Sequence, residues 1–244
     1  MAIKMLLSDW SYTVMLALEE LWYRKLRPIG DAPNRYAETI GASLVFEGHT
    51  RDKSGGMINI YDVFKTKEAY VKKELDWYMS QSTDAQMIGQ TASTWLKCCD
   101  KNHKVNSNYG FLMFSPQNGY QYKNVVEELS YDYDSRRAVA YYTNPWMHYV
   151  GGKDHICTLA VQYLLREDFV HAIVFMRSND IVYGLIGADL FWQNEMLQSI
   201  AADLTIAYDR QIGAGSITWQ VGSLHIYEKH WGKLDEAIKL FRQE

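Results

Sequence analysis

Three strand-like runs crowd the middle of this chain, Arg137–Thr143, Cys157–Leu165 and His171–Arg177, and a long helical run, Ala188–Tyr208, follows them. A chain built this way must lay those strands into a sheet and pack helices over it. The runs lack regular alternation of apolar and polar residues, so strands covered on both faces are expected. From Asp9 to Leu26, Trp10, Val14, Leu18, Leu21 and Trp22 recur at helical spacing. Ser8 or Asp9 is the expected start cap, and Pro28 and Gly30 lie past the end. Glu38–Glu47 reads as a strand, Lys67–Met79 and Tyr122–Leu129 as helices, Ile217–Glu228 as a strand and Lys233–Phe241 as a closing helix. The order is that of an α+β protein with helices grouped against a sheet. Four prolines and no Ser/Gly-rich run leave no linker or repeat, so residues 1–244 are expected to form a single domain.

Composition narrows the function. Apolar residues make up 48% and charged residues 22%, the balance of a soluble globular protein rather than a disordered one. With 25 Lys and Arg against 29 Asp and Glu, the net charge is −4. That argues against a dedicated nucleic-acid binder, even though aromatic residues, 14% of the chain, can stack bases. A local basic pocket for a small anion stays open. No run approaches the length of a membrane-spanning helix, and Met1–Trp10 lacks the features of a signal peptide. Cys98, Cys99 and Cys157 are an odd, low count that points to reduced thiols in a cytoplasmic setting. Cys98 and Cys99 are adjacent with no second pair, so no metal site is expected.

Four clusters carry the possible chemistry. Asp134-Ser135-Arg136-Arg137 places paired arginines just before a strand. Arg177-Ser178-Asn179-Asp180 ends an apolar strand in polar residues. Cys157 heads Cys-Thr-Leu-Ala-Val-Gln-Tyr. In Ser223-Leu224-His225-Ile226-Tyr227, His225 and Tyr227 share one strand face. Each alone has an ordinary explanation: surface charge, an inert core thiol or strand-favoured side chains. Together they suit a phosphate and a nucleophile. Guanidinium groups bind phosphate bidentately, and nearby cations lower a thiol's pKa and supply thiolate.

The segments IGAS (Ile40–Ser43), ELDWY (Glu74–Tyr78), VNSNYG (Val105–Gly110), DSRR (Asp134–Arg137), CTLAVQYLLR (Cys157–Arg166), MRSND (Met176–Asp180) and GSITWQVGSLHIY (Gly215–Tyr227) form an ordered set across most of the chain. This set resembles the thymidylate synthase superfamily, most closely its phage deoxycytidylate hydroxymethylase branch. The resemblance implies a mixed β-sheet covered by helices, with the sheet forming a homodimer interface. It implies Cys157 as the nucleophile and Glu74 as the carboxylate that orders water and moves protons at the base. Without the resemblance, Glu74 beside Lys72 and Lys73 reads as a solvated helix residue. Arg177 with Ser178 corresponds to phosphate ligands within one subunit. Arg136 and Arg137 correspond to the pair that reaches the neighbouring subunit's phosphate. A further phosphate arginine is either Arg27 or Arg35. His225 and Tyr227 match groups that bond the deoxyribose 3′-hydroxyl, and Gln162 matches a Gln near the nucleotide. Asp180 matches the carboxylate that holds the pterin of 5,10-methylenetetrahydrofolate, the one-carbon donor. Tyr109 and Trp95 are candidate pocket walls, Tyr109 beside the chemistry and Trp95 on the folate side, although a core role is equally open for Trp95.

The synthases read uracil with an Asn four residues after the Gly of the RSxD…G segment, and the cytosine enzymes carry Asp there. A protonated or suitably hydrogen-bonded carboxyl meets cytosine's N4 donor and N3 acceptor. Here Gly184 plus four is Ala188, and a one-residue insertion within Leu185-Ile186-Gly187 restores Asp189 to the reading position. The favoured substrate is therefore dCMP. Thr158 stands in place of the synthase His and His155-Ile156 in place of prolines, and Phe241–Glu244 lacks the closing synthase tail. These departures lean towards water, giving a hydroxymethyl product, whereas closure that excludes water favours hydride and a methyl product. Methylation of dCMP, hydroxymethylation of dUMP and non-catalytic nucleotide binding are the alternatives. The expected setting is a host-cell cytoplasm, with no direct nucleic-acid or membrane contact.

Overall fold

The computed structural model describes residues 3–47, 63–64, 68–147 and 151–242, with the backbone alone for residues 3–10. Helix α1 (Ile3–Arg24) begins before Ser8 and Asp9, so neither is its cap. Its Val14, Leu18 and Leu21 enter the core at the expected spacing. Strand β1 (Tyr36–Phe46) follows, then helices α2 (Glu68–Met79), α3 (Ala85–Gly89), α4 (Thr94–Cys98), α5 (Tyr109–Phe114) and α6 (Gln121–Tyr131). The short β2 (Val139–Tyr141) leads to β3 (Thr158–Arg166) and β4 (Phe169–Asp180). A π-type stretch, Ile181–Asp189, runs into α7 (Leu190–Tyr208), before β5 (Gly213–Tyr227) and α8 (Trp231–Phe241).

The strands form one mixed sheet in the order β1-β5-β4-β3-β2. Strands β4 and β5 pair in parallel and the other neighbours pair antiparallel. Parallel neighbours need a long crossover, which the π-type stretch and α7 provide. Val161, Tyr163, Val174, Met176, Trp219 and Val221 fill one face of the sheet. Helix α7 packs against β4 and β5, while α1 packs against β1 and α8.

The other face is open within one chain: Ile40 is 81% and Phe175 40% exposed. The expectation of strands covered on both faces is corrected here at the level of the single chain. Burial alternates along β4, as it does when only one face lies inside. The run from Arg137 to Thr143 shortens to β2 because Arg136 and Arg137 belong to a turn. Ser135 Oγ holds that turn by accepting from Arg137 N at 3.1 Å.

Candidate active site

Cys157 lies immediately before β3, where the β3–β4 register slips between Thr158 and Ala160. Such irregularities re-aim side chains at sheet ends. From β4, Arg177 donates through Nε to Ile156 O at 3.0 Å and through Nη2 to Cys157 Sγ at 3.6 Å. Arg177 N also donates to Cys157 O at 3.0 Å. The approach to the cysteine is anchored by Asp154, whose carboxylate accepts from Asn106 N, Ser107 N and Ser107 Oγ at 2.6, 2.9 and 2.6 Å. Burial pushes the Cys157 thiol up to about 11; Arg177 works against that rise, and Asp189 and Asp154 add to it. The expected cation-stabilised thiolate is thus corrected. One guanidinium touches the sulfur, and burial outweighs it.

Glu74 faces inward from α2 at 5% exposure, next to Val71, Trp77 and Tyr78, so it is not a solvated residue. Tyr78 OH donates to Glu74 Oε1 at 2.8 Å, and Tyr70 bonds the same carboxylate from one turn earlier. Glu74 Oε2 is buried without a hydrogen-bond partner. Burial raises the Glu74 pKa despite both tyrosines. Asp189, the last residue of the π-type stretch, is pushed up to about 7, first by burial and then by the nearby Glu74. Asn179 Nδ2 donates to Asp189 Oδ2 at 2.8 Å. Across Leu185-Ile186-Gly187, where a one-residue insertion is expected, the turn is wide and helical geometry breaks at Gly187 (φ −91°, ψ −126°). A π-type turn takes up one more residue than an α-turn, and Asp189 lies within electrostatic reach of both Glu74 and Cys157.

Tyr109 opens α5, where its hydroxyl accepts from Thr158 Oγ1 at 2.9 Å and its ring stacks on Tyr78 at 5.1 Å. Asn108 caps the helix by accepting from Phe111 N at 2.8 Å, and its Nδ2 donates to Trp77 O and Ser82 O at 2.8 and 2.9 Å. The contact between α5 and α2 needs glycine at position 110, because a Cβ there would fall 1.7 Å from Tyr78 O. Trp95 is half-buried on α4, with its ring 4.9 Å from Trp77.

At the same end of the sheet, Ser178 stands opposite Ser223 and Asp180 opposite His225, while Glu38 faces His225 and Tyr36 faces Tyr227. The His225 and Tyr227 rings lie 5.2 Å apart. Asp180 Oδ1 accepts from Val182 N and Tyr183 N at 2.8 and 3.1 Å, whereas Oδ2 is buried and unpartnered. Arg35 pairs with Glu228 beside Tyr227. Arg27 lines an open recess with Tyr23, Glu38 and Ile40.

Arg136, Arg137 and Gln162 are not brought to this cluster within one chain. Gln162 Nε2 donates to Arg136 O at 2.9 Å, five residues along β3 from Cys157, or about 16 Å at the rise of a strand. Arg137 pairs with Glu128 at 2.9 Å and Asp132 at 3.9 Å. The expected gathering of three guanidiniums around one thiol is therefore not formed inside a single chain. Conversely, Tyr70, Tyr78 and Asn179 join the site without having been singled out in the sequence. The four-residue spacing of Tyr70, Glu74 and Tyr78 was the available signal, since it puts them on one helix face. Asn179 had none beyond its place in RSND.

Among the described residues no group of His, Cys, Asp or Glu is arranged to hold a metal, and no helix is long and apolar enough to cross a membrane. A family model described as thymidylate synthase matches residues 38–243. Over 178 residues the chain is 40% identical to the deoxycytidylate 5-hydroxymethyltransferase of Enterobacteria phage T4, covering 70% of this chain and 72% of that one. The protein of the same name from Enterobacteria phage T2 is 40% identical over 174 residues, 69% of this chain and 70% of that one. The deoxyuridylate hydroxymethyltransferase of Bacillus phage SP01 is 32% identical over 122 residues, 49% of this chain and 30% of that one. The mixed sheet, the ordered motifs and the match across residues 38–243 agree: the chain is a one-carbon transferase and belongs to the thymidylate synthase family.

Proposed function

We propose that this protein hydroxymethylates C5 of dCMP, consuming 5,10-methylenetetrahydrofolate and water and releasing 5-hydroxymethyl-dCMP and tetrahydrofolate. The observation that carries the reading is the meeting of Cys157, Arg177, Glu74 and Asp189 at one end of the sheet. Similarity to phage deoxycytidylate 5-hydroxymethyltransferases supports dCMP as the substrate and a phage-infected host cytoplasm as the setting.

A pyrimidine ring is electron-poor, and its C5 is a weak nucleophile. Addition of the Cys157 sulfur to C6 makes an enamine whose C5 is nucleophilic, replacing one difficult step by easier ones. The thiol is protonated at rest and gives up its proton as it adds. Arg177, 3.6 Å from the sulfur, favours that ionisation. Asp189, titrating near neutrality, shares one proton with cytosine N3 while accepting from N4. Glu74, with one carboxylate oxygen unpartnered, orders water and moves protons at the base, beside Tyr109. His225 and Tyr227 hold the 3′-hydroxyl, and Arg177 with Ser178 holds the phosphate.

Methylenetetrahydrofolate, when bound, supplies an electrophilic one-carbon unit. The orphaned, buried Oδ2 of Asp180 suits a pterin N–H donor, so the residues present fit that group; Trp95 is read as a further wall for it. The open sheet face serves as the homodimer interface in this reading. Through it Arg136 and Arg137, with Gln162 bonded to the Arg136 carbonyl, reach the partner's nucleotide. Arg35 or Arg27 adds a further phosphate contact.

The test is to supply dCMP or dUMP with methylenetetrahydrofolate and weigh the nucleotide product. The expected outcome is a gain of CH2O on dCMP without dihydrofolate absorbance, abolished in Cys157→Ser. A gain of CH2 with dihydrofolate absorbance would replace this reading by methylation. Turnover by Cys157→Ser would remove the nucleophile.

A further inference from the structure

The contact between Asn179 and Asp189 carries more than packing. Asn179 is 2% exposed, and its Nδ2 donates to Asp189 Oδ2 at 2.8 Å. Its own Oδ1 is buried with no partner. An unsatisfied buried carbonyl is costly and calls for a reason. Gly184 closes over the pair: a Cβ there would fall 2.4 Å from Asn179 Nδ2 and 2.6 Å from Asp189 Oδ2. Both atoms are engaged with each other, so neither can yield without breaking the contact. The π-type turn between residues 181 and 189 delivers Asp189 back to a residue ten positions earlier in the chain.

We propose that Asn179 is a positioning residue for base recognition, tying down one oxygen of Asp189 so that the other faces the pyrimidine, with Gly184 leaving room for that tie. The inference rests on the reading of Asp189 as the group that meets the base. The titratable groups facing Asp189 are Glu74, Tyr70 and Tyr78 from α2, Tyr109 from α5 and Asp180 from β4. Tyr142 beyond β2 and Cys157 before β3 complete the set among the described residues. No cation stands among these described groups, and the Asn179 amide is what favours the ionised carboxylate. Cytosine needs a shared proton between its N3 and Asp189. Affinity for dCMP is therefore held below the Asp189 midpoint and lost above it.

Calorimetric titration of the full-length protein with dCMP, and separately with dUMP, across a pH series tests the proposal. Wild-type affinity for dCMP should fall as pH rises through about 7. Asn179→Leu removes the donor to the ionised form and should move that midpoint up by about one pH unit. Gly184→Ala, which forces the pair apart, should move it the same way. Both should also cut the preference for dCMP over dUMP on the acid side by roughly fivefold, the worth of an ordinary hydrogen bond, because the neutral carboxyl is no longer tied in place. Should Asn179→Leu fail to fold, the isosteric Asn179→Asp places a second carboxylate there and should also raise the midpoint. A midpoint and preference unchanged from wild type in these variants overturns the proposal. Asp189→Asn separates the two ideas: if it keeps the wild-type midpoint, the reading of Asp189 on the base fails rather than the role of Asn179.

Discussion

Two effects oppose each other at the Cys157 sulfur. Desolvation disfavours the thiolate, and the Arg177 guanidinium favours it. Desolvation wins, so reactivity should follow a high pKa. Alkylation by iodoacetamide, read on the peptide that contains Cys157, is expected to keep rising with pH towards a midpoint of about 11. An ordinary thiol levels off past about 8.5. Arg177 lowers the pKa, so Arg177→Ala should carry the rise to still higher pH. Levelling near the ordinary value in the wild type, or a shift to lower pH in the variant, would contradict the balance described. The same desolvation acts on Glu74 and Asp189, whose mutual repulsion raises Asp189 further. The site thus holds a thiol and carboxylic acids that are easier to protonate than their exposed counterparts.

One element, α5, sets the distance between the Glu74 helix and the Cys157 strand. Asn108 joins three segments, capping α5 and donating to carbonyls of Trp77 and Ser82. Asn108→Ala removes the cap and leaves buried carbonyls unsatisfied, at a cost of about 2–4 kcal/mol. A lower urea midpoint with an unchanged slope should report this, and a wild-type midpoint would show that Asn108 is not the joint. Long periodic elements were legible beforehand. The run from Lys67 to Met79 became α2 and the run from Cys157 to Leu165 became β3, each within a residue or so. Helices α3, α4 and α5 were not, because one or two turns show no period and depend on caps such as Asp84 and Asn108. Coverage of the sheet was misread because the strand phase depends on a register slip and a parallel pairing made elsewhere in the chain. Cys157, Arg177, Glu74 and Asp189 were legible through ordered motifs. The Asn179–Asp189 contact was not, since it closes through a π-type turn that neither helical nor strand periodicity encodes.

At the scale of the whole molecule, Arg136 and Arg137 lie in the turn before β2, beside Gln162 and too far from the Cys157 of their own chain to serve it, while the sheet face they border is open. A contiguous open face with Ile40 and Phe175 on it fits an interface between copies. Complementation tests this. Arg136→Ala/Arg137→Ala and Cys157→Ser subunits should each be inactive alone, and mixing them after reversible unfolding should restore activity. On the proposed reading, the chain that keeps Cys157 in a mixed dimer receives arginines from its partner. Absence of any recovery, with mixed dimers demonstrated, would place the arginines in their own chain's site.

The central claim is that the Cys157 sulfur bonds to the pyrimidine during turnover. A dCMP analogue carrying fluorine at C5 cannot lose the proton that must leave from that carbon, so its adduct should stall once the one-carbon unit has been added. Peptide mass spectrometry of the protein incubated with this analogue and methylenetetrahydrofolate should place the added mass on the peptide containing Cys157. An active protein whose Cys157 peptide stays unmodified, or whose added mass lies on another residue, would contradict the account.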